Sequence, residues 1–406
     1  MGFAALTGMR VGRCKASRPF LCGGGLGDGG LCAELRHDRC SKMTSITRID
    51  RALRDGQKPP SHRGMAENMI QAVHNHLKTI SSRLAADGPG FSAAIVCDGD
   101  LTFEMHHGLA SLELGVPLNG DSAYYLASES KQFTAACVMT MVRHGQIALD
   151  DDVVPLLPEL KGFGQAFPLR SLLNHSSGIP EYLSLMTYQL GRHESDYFGN
   201  SHILSMIALF DEVDFPTSTD HRYSNSNYIL LATLVERIAG VPARIYAQNH
   251  LFSPLGMNHL TFDDDRLSIL PNRVFSYESD PSRPRGIKQF LGNANTVGDG
   301  GIYGSTNELV RWEREWHRQW AEPGSLLHDM LQPSALLDGR IPSYRFGLEI
   351  GEHEAGQYVF HGGGLWGFSS LILRFPERKM SLIHLSNCDE ASVPMEDLLQ
   401  LATGKD

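Results

Sequence analysis

No run in this 406-residue chain approaches 18 consecutive apolar residues, so nothing in it reads as a membrane-spanning helix. Lys and Arg form no block, and the formal net charge is −10, which argues against nucleic acid and anionic membranes as partners. Cys-x-x-Cys is absent. Of seven cysteines, Cys14, Cys22, Cys32 and Cys40 crowd the first forty residues at spacings that match no zinc pattern. Cys97, Cys137 and Cys388 lie in apolar segments and are expected as buried free thiols. Despite eighteen histidines there is no His-Glu-x-x-His, and His74 and His76 face apart on a helix, which counts against a zinc hydrolase. Gly-x-Ser-x-Gly is missing too, so the α/β-hydrolase nucleophile turn is not available. Gly25 to Gly30 match G-x-G-x-x-G but lack a strand before and a helix after, and no cofactor is expected. Met1 to Phe20 supply no continuous apolar core for a secretory leader, and a cytoplasmic location is the expectation.

What is present is ordinary globular composition, 42% apolar and 20% charged. Residues 1–64 stand apart, rich in Gly, Arg and Cys with little apolar periodicity, and are expected to be a disordered extension or linker. Met43 and Met65 are candidate working starts. Residues 65–406 carry the folded domain. Residues 66–85 read as an amphipathic helix, and Phe91 to Val96 and Leu101 to Met105 as strands joined by Asp98-Gly99-Asp100. Asp150 to Asp152 read as a solvated turn. Ser305 to Glu308 form a capping-box pattern that opens a helix with Trp312, Trp316 and Trp320 on one stripe, expected as core. Four strands follow, Phe346 to Ile350, Gln357 to Phe360, Ser369 to Arg374 and Met380 to Leu385, before a last helix from about Pro394 to Leu401. Strands at both ends and helices between them predict an α+β fold: one antiparallel sheet built from both chain ends, a mostly helical lobe inserted at about 135–300, and a cleft between.

Chemistry-bearing residues fall in three stretches. Ser128-Glu129-Ser130-Lys131 opens a helix, with serine and lysine one turn apart on one face, where a neutral amine can take the hydroxyl proton. Such a tetrad arises about once by chance in a chain this long, and a capping serine beside a solvated lysine is the simpler reading of it alone. Tyr223-Ser224-Asn225 precedes a helix striped by Tyr228, Leu231, Leu234, Val235 and Ile238 and closed by Gly240. His361-Gly362-Gly363-Gly364 ends a strand, where glycine lets another backbone or a substrate approach the edge. His175 and Ser176, in Leu172 to Pro180, read as a polar turn bonding its own backbone.

Taken in order, Ser128-x-x-Lys131, Tyr223-x-Asn225 and His361-Gly362-Gly363 resemble the serine penicillin-recognising family of class C β-lactamases, DD-peptidases, family VIII esterases and related hydrolases. Leu172 to Gly178, Pro254 to Met257 and Asp299 to Tyr303 are similar to further segments of that family, so the resemblance covers about residues 66–400. It implies Ser128 as nucleophile, with Lys131 and Tyr223 together moving its proton; which of the two is the base stays open. It implies substrate contacts at Asn225, His361, Gly363 and Gly364, with oxyanion donors at the N–H groups of Ser128 and Gly364, and no metal. The expected partner is a small ester, amide or peptide, cleaved through an ester on Ser128. Trp366 and Phe368 are expected to shape the acyl pocket. His361 stands where most β-lactamases carry lysine, which favours an esterase or peptidase over an efficient β-lactamase. Pro216-Thr217-Ser218-Thr219 replaces the family's Pro-Gly turn. A non-catalytic scaffold or binding protein of the same fold is the competing reading.

Overall fold

The computed structural model describes residues 63–188, 196–290 and 292–403; the expectations for residues 1–62, including their four cysteines, lie outside these. A six-stranded antiparallel sheet organises the domain. Its strands are β1 (Phe91–Cys97), β2 (Asp100–His107), β3 (Glu349–His353), β4 (Gly356–Leu365), β5 (Phe368–Phe375) and β6 (Met380–Ser386), in the order β3-β4-β5-β6-β1-β2. The two ends of the chain therefore meet in one sheet, through the pairing of β1 with β6 from Phe91↔Ser386 to Cys97↔Met380.

Period-two alternation sorts the strand residues between two cores. Phe91, Ala93 and Ile95 of β1, with Leu371 and Leu373 of β5, pack under helices α1 (Arg63–Ser81) and α5 (Met395–Leu401), where Met69, Val73, Leu77 and Leu398 complete the layer. Ala94, Val96, Ile372 and Ile383 face the other way, into a larger core shared with helices α2 (Lys131–Arg143), α3 (Asn225–Ala239) and α4 (Thr306–Gln319). Ser305 caps α4 by accepting the Glu308 N–H at 3.3 Å, and Trp312, Trp316 and Trp320 are all buried, as the stripe predicts.

Three expectations shift. The strand placed at Phe346 to Ile350 begins only at Glu349, because Gly347 takes φ 78° and breaks the extended run. The strand placed at Gln357 to Phe360 runs from Gly356 to Leu365, so His361 to Gly364 form its turn-ward part, as expected of a tetrad that ends it. Cys97 is partly exposed, whereas Cys137 and Cys388 are buried and free. The middle of the chain also holds short strands, among them the pair Ser276–Ser279 and Ile287–Phe290.

Candidate active site

Ser128 sits in a tight 3-10 turn, Ala127–Ser130, that runs straight into α2. Ala127 adopts φ 47°, a left-handed conformation that a residue with a Cβ takes only under constraint. The constraint is visible on both sides: Leu126 donates its N–H to the Ile302 carbonyl at 2.8 Å and accepts from the Ser370 hydroxyl at 2.6 Å. Ser128 is half-buried, and its hydroxyl caps no helix. Behind it lies a buried polar network. Glu129 accepts from Gln132, whose amide oxygen accepts from Trp312 and from Arg374, and Arg374 pairs with Glu313 at 2.7 Å in full burial. Isolation from water pushes Glu129 well above the usual carboxylate range.

Lys131 is completely buried one turn further on. Its Nζ lies 3.0 Å from Ser128 Oγ, 2.7 Å from Asn225 Oδ1 and 2.5 Å from the Asp299 carbonyl oxygen. Asn225 arrives at the start of α3, and Asp299 on a glycine loop, Gly298 to Gly301, where a Cβ on Gly301 would meet the Thr296 carbonyl at 2.5 Å. Burial moves the amine from an ordinary 10.5 down to about 8, against the upward pull of Asp299 and Glu181.

The Tyr223 ring lies over the same amine, with Nζ 4.9 Å from its centroid. Rings of His175 (4.4 Å), Tyr344 (5.8 Å) and His361 (6.3 Å) surround it, leaving the residue 38% exposed on its outer side. Enclosure of its hydroxyl raises the phenol well above 10, while a hydrogen bond with Ser128 pulls the other way. His175, at φ 58°, holds the approach to this tyrosine through Nδ1 contacts to the Ser224 N–H and the Asn227 amide. The turn around it bonds itself, with Asn174 Oδ1 accepting from the Ser176 N–H and hydroxyl. Ser218 at φ 63° and its N–H bond to Ser176 O let Pro216 to Thr219 turn without glycine.

Strand β3 pairs with β4 only as far as Phe360, so the edge from His361 to Leu365 is left uncovered by β3. The Ser128 turn abuts this edge. A Cβ on Gly363 would stand 2.4 Å from the Leu126 carbonyl and 2.8 Å from the Ser128 nitrogen. Gly363→Ala is therefore expected to push the turn off the strand. It should lower kcat/KM for small esters by about a hundredfold, the scale of losing one oxyanion donor, with a smaller effect on KM.

His361 presents no free N–H. Its Nδ1 faces the Gly362 carbonyl at 2.8 Å, an acceptor only, so Nδ1 carries the proton and Nε2 accepts from the Tyr344 hydroxyl at 3.1 Å. Burial takes it down to about 3, hence neutral at physiological pH. The structure thus brings Ser128, Lys131, Tyr223, Asn225, His361 and Gly363 together, with Gly364 next along the same strand edge. It adds residues that sequence reading did not single out: the Asp299 carbonyl, Tyr344, and Glu181, which accepts the Asn225 N–H at 2.5 Å. Glu181 had one sequence signal, an acid in the otherwise apolar turn after Gly178; the backbone acceptor had none. Among the described residues no cluster of His, Cys, Asp and Glu is arranged to hold a metal.

A mixed fold of this kind, with a hydroxyl, a buried amine and a phenol meeting beside a glycine-flanked strand, is the architecture of penicillin-recognising serine hydrolases. The chain belongs to the Beta-lactamase family, whose model matches residues 70–405. It is 28% identical over 351 residues to penicillin-binding protein 4* of Bacillus subtilis, covering 82% of this chain and 76% of that one. To the D-aminopeptidase of Brucella anthropi it is 27% identical over 321 residues, covering 78% of this chain but only 60% of that protein's length. Among solved structures, the octameric penicillin-binding protein homologue from Pyrococcus abyssi superposes with a TM-score of 0.66 at 22% identity, covering 82% and 76% of the two chains. A D-stereospecific amidohydrolase from Streptomyces sp. gives 0.62 at 23%, covering 84% and 98%. At these identities the structural likeness speaks for the fold.

Proposed function

We propose that the protein is a serine hydrolase that cleaves small esters or amides through an acyl-enzyme on Ser128, with Lys131 as the base. The observation that carries this is the three-way coordination of Lys131. A neutral amine has two N–H bonds and one lone pair. Asn225 Oδ1 and the Asp299 carbonyl accept only, so they take the two N–H bonds and turn the lone pair to the Ser128 hydroxyl. With the amine near 8, roughly a tenth is neutral at pH 7. Tyr223 keeps its proton there and serves as a donor.

The Ser128 proton passes to Lys131 Nζ as Oγ attacks the substrate carbonyl. The tetrahedral oxygen is held by the N–H groups of Ser128 and Gly364. Collapse expels the alkoxide or amine, which takes a proton from Tyr223, replenished from Lys131. Water then cleaves the Ser128 ester with Lys131 again as base. Gly363 lets the turn and strand approach, and Asn225 orients both the amine and the acyl side of the substrate. His361 acts as a neutral spacer on Tyr344. With no cation at that position, small esters and amides, including those of D-amino acids like the substrates named for its relatives, suit the site better than a penicillin carboxylate. The domain responsible is assigned to residues 65–406.

A panel of p-nitrophenyl acetate and butyrate, D-alanine p-nitroanilide and nitrocefin tests this. Turnover of the esters or the anilide well above nitrocefin is expected. No turnover of any substrate would favour a non-catalytic scaffold.

A further inference from the structure

A cavity of about 110 Å³ opens beside the site, and its walls tie it to the reacting atoms. Tyr125, three residues before Ser128, forms one wall, with its hydroxyl accepting the Gly301 N–H at 3.2 Å. Gly301 follows Asp299, whose carbonyl holds Lys131. Trp366, two residues after Gly364, also lines it and packs tilted against Tyr125, with ring centroids 5.3 Å apart. The indole is held firmly: Trp366 takes φ 54° in the β4–β5 hairpin, and a Cβ on Gly292 would come within 2.3 Å of its ring. Phe290 and Phe368 complete an apolar lining. The free edge of β4, His361 to Leu365, ends one residue before Trp366 of this lining.

Part of its lining is charged. Arg266, Arg273 and Asp263 line it, two guanidinium groups against one carboxylate. Arg273 lies over the Tyr303 ring at 4.6 Å, donates to the Tyr303 hydroxyl at 2.9 Å, and stands 3.8 Å from Asp263. Arg266 is exposed, and its field reaches both Asp263 and Tyr303. The neighbouring acids have partners of their own, Asp264 pairing with Arg244 at 2.7 Å and Asp265 accepting from the Leu267 N–H in its own loop, while the fields of both also reach Asp263. Arg273 and Arg244 are each held against a carboxylate, which leaves the exposed Arg266 guanidinium beside this aromatic-walled cavity to meet an incoming anion.

We propose that this cavity is an acyl-side subsite for substrates whose acyl group ends in a carboxylate, such as a short dicarboxylic half-ester or half-amide or an acidic amino-acid residue. The inference rests on the serine-hydrolase reading and names the substrate class for it. The aromatic walls take the methylene arm. Arg266, assisted by Arg273, takes the carboxylate in the forked geometry that guanidinium groups offer. The volume admits a short carboxyalkyl arm.

The test compares mono-p-nitrophenyl glutarate with p-nitrophenyl valerate, equal in acyl length and different only in the terminal charge. Wild type is expected to favour the glutarate in kcat/KM by about tenfold, the scale of one charge-assisted hydrogen bond, with the difference in KM and shrinking as salt is added. Arg266→Glu should reverse the preference, and Arg273→Gln should weaken it. Equal specificity for the two esters, unaffected by Arg266→Glu, would overturn the subsite and leave the hydrolase reading standing. Turnover of neither ester would remove the hydrolase reading and the subsite with it.

Discussion

Ser128→Ala is expected to lower kcat/KM for small esters by at least about 10⁴, the scale on which serine nucleophiles fail when truncated. The reason is local. Lys131 Nζ contacts one hydroxyl, one amide oxygen and one backbone carbonyl, and only the hydroxyl can be activated. Removing a single half-buried oxygen leaves the Leu126 and Arg374 anchors intact, so thermal unfolding should stay close to wild type. A loss of activity accompanied by a large drop in melting temperature would point to a structural serine instead.

Lys131→Arg should be nearly as damaging, at about 10³, and the loss should persist as pH rises, because a guanidinium keeps its proton above pH 12. Wild type is expected to show the opposite signature. Burial lowers the amine from 10.5 to about 8, so the active neutral form is scarce below that value and dominant above it. kcat/KM is expected to fall about tenfold per pH unit below 8 and to level off above it. Tyr223, held well above 10, contributes no descending limb in that range. A profile that peaks near pH 6 and declines toward 8 would exclude Lys131 as the base.

The glycines mark where sequence reading succeeds and where it stops. Gly240 and the Ser305 cap announce the ends of helices in local terms, and β1, β5 and β6 are largely apolar runs, buried on both faces, that stand out between turn residues. The three motifs could be brought together only through family resemblance, because nothing local says that residue 128 lies against residue 363. The strand expected from Phe346 fails for a local reason, the left-handed Gly347, whose Cβ would strike Gln132 Cα at 2.6 Å. The proposed choice of Lys131 over Tyr223 is not legible in the sequence either. It depends on the Asp299 carbonyl, a backbone acceptor any residue supplies, and on burial that only the packed structure defines. The Arg374–Glu313 pair behind the nucleophile likewise joins positions 61 residues apart.

The most direct measurement is reaction with a fluorophosphonate, followed by intact mass and peptide mapping across pH 6 to about 9, a range that spans the lowered amine. One adduct on Ser128, forming faster as pH rises through about 8, is expected, with none on Ser128→Ala. Labelling of Ser128→Ala at wild-type stoichiometry, or an adduct mapped to another residue, would contradict Ser128 as the nucleophile.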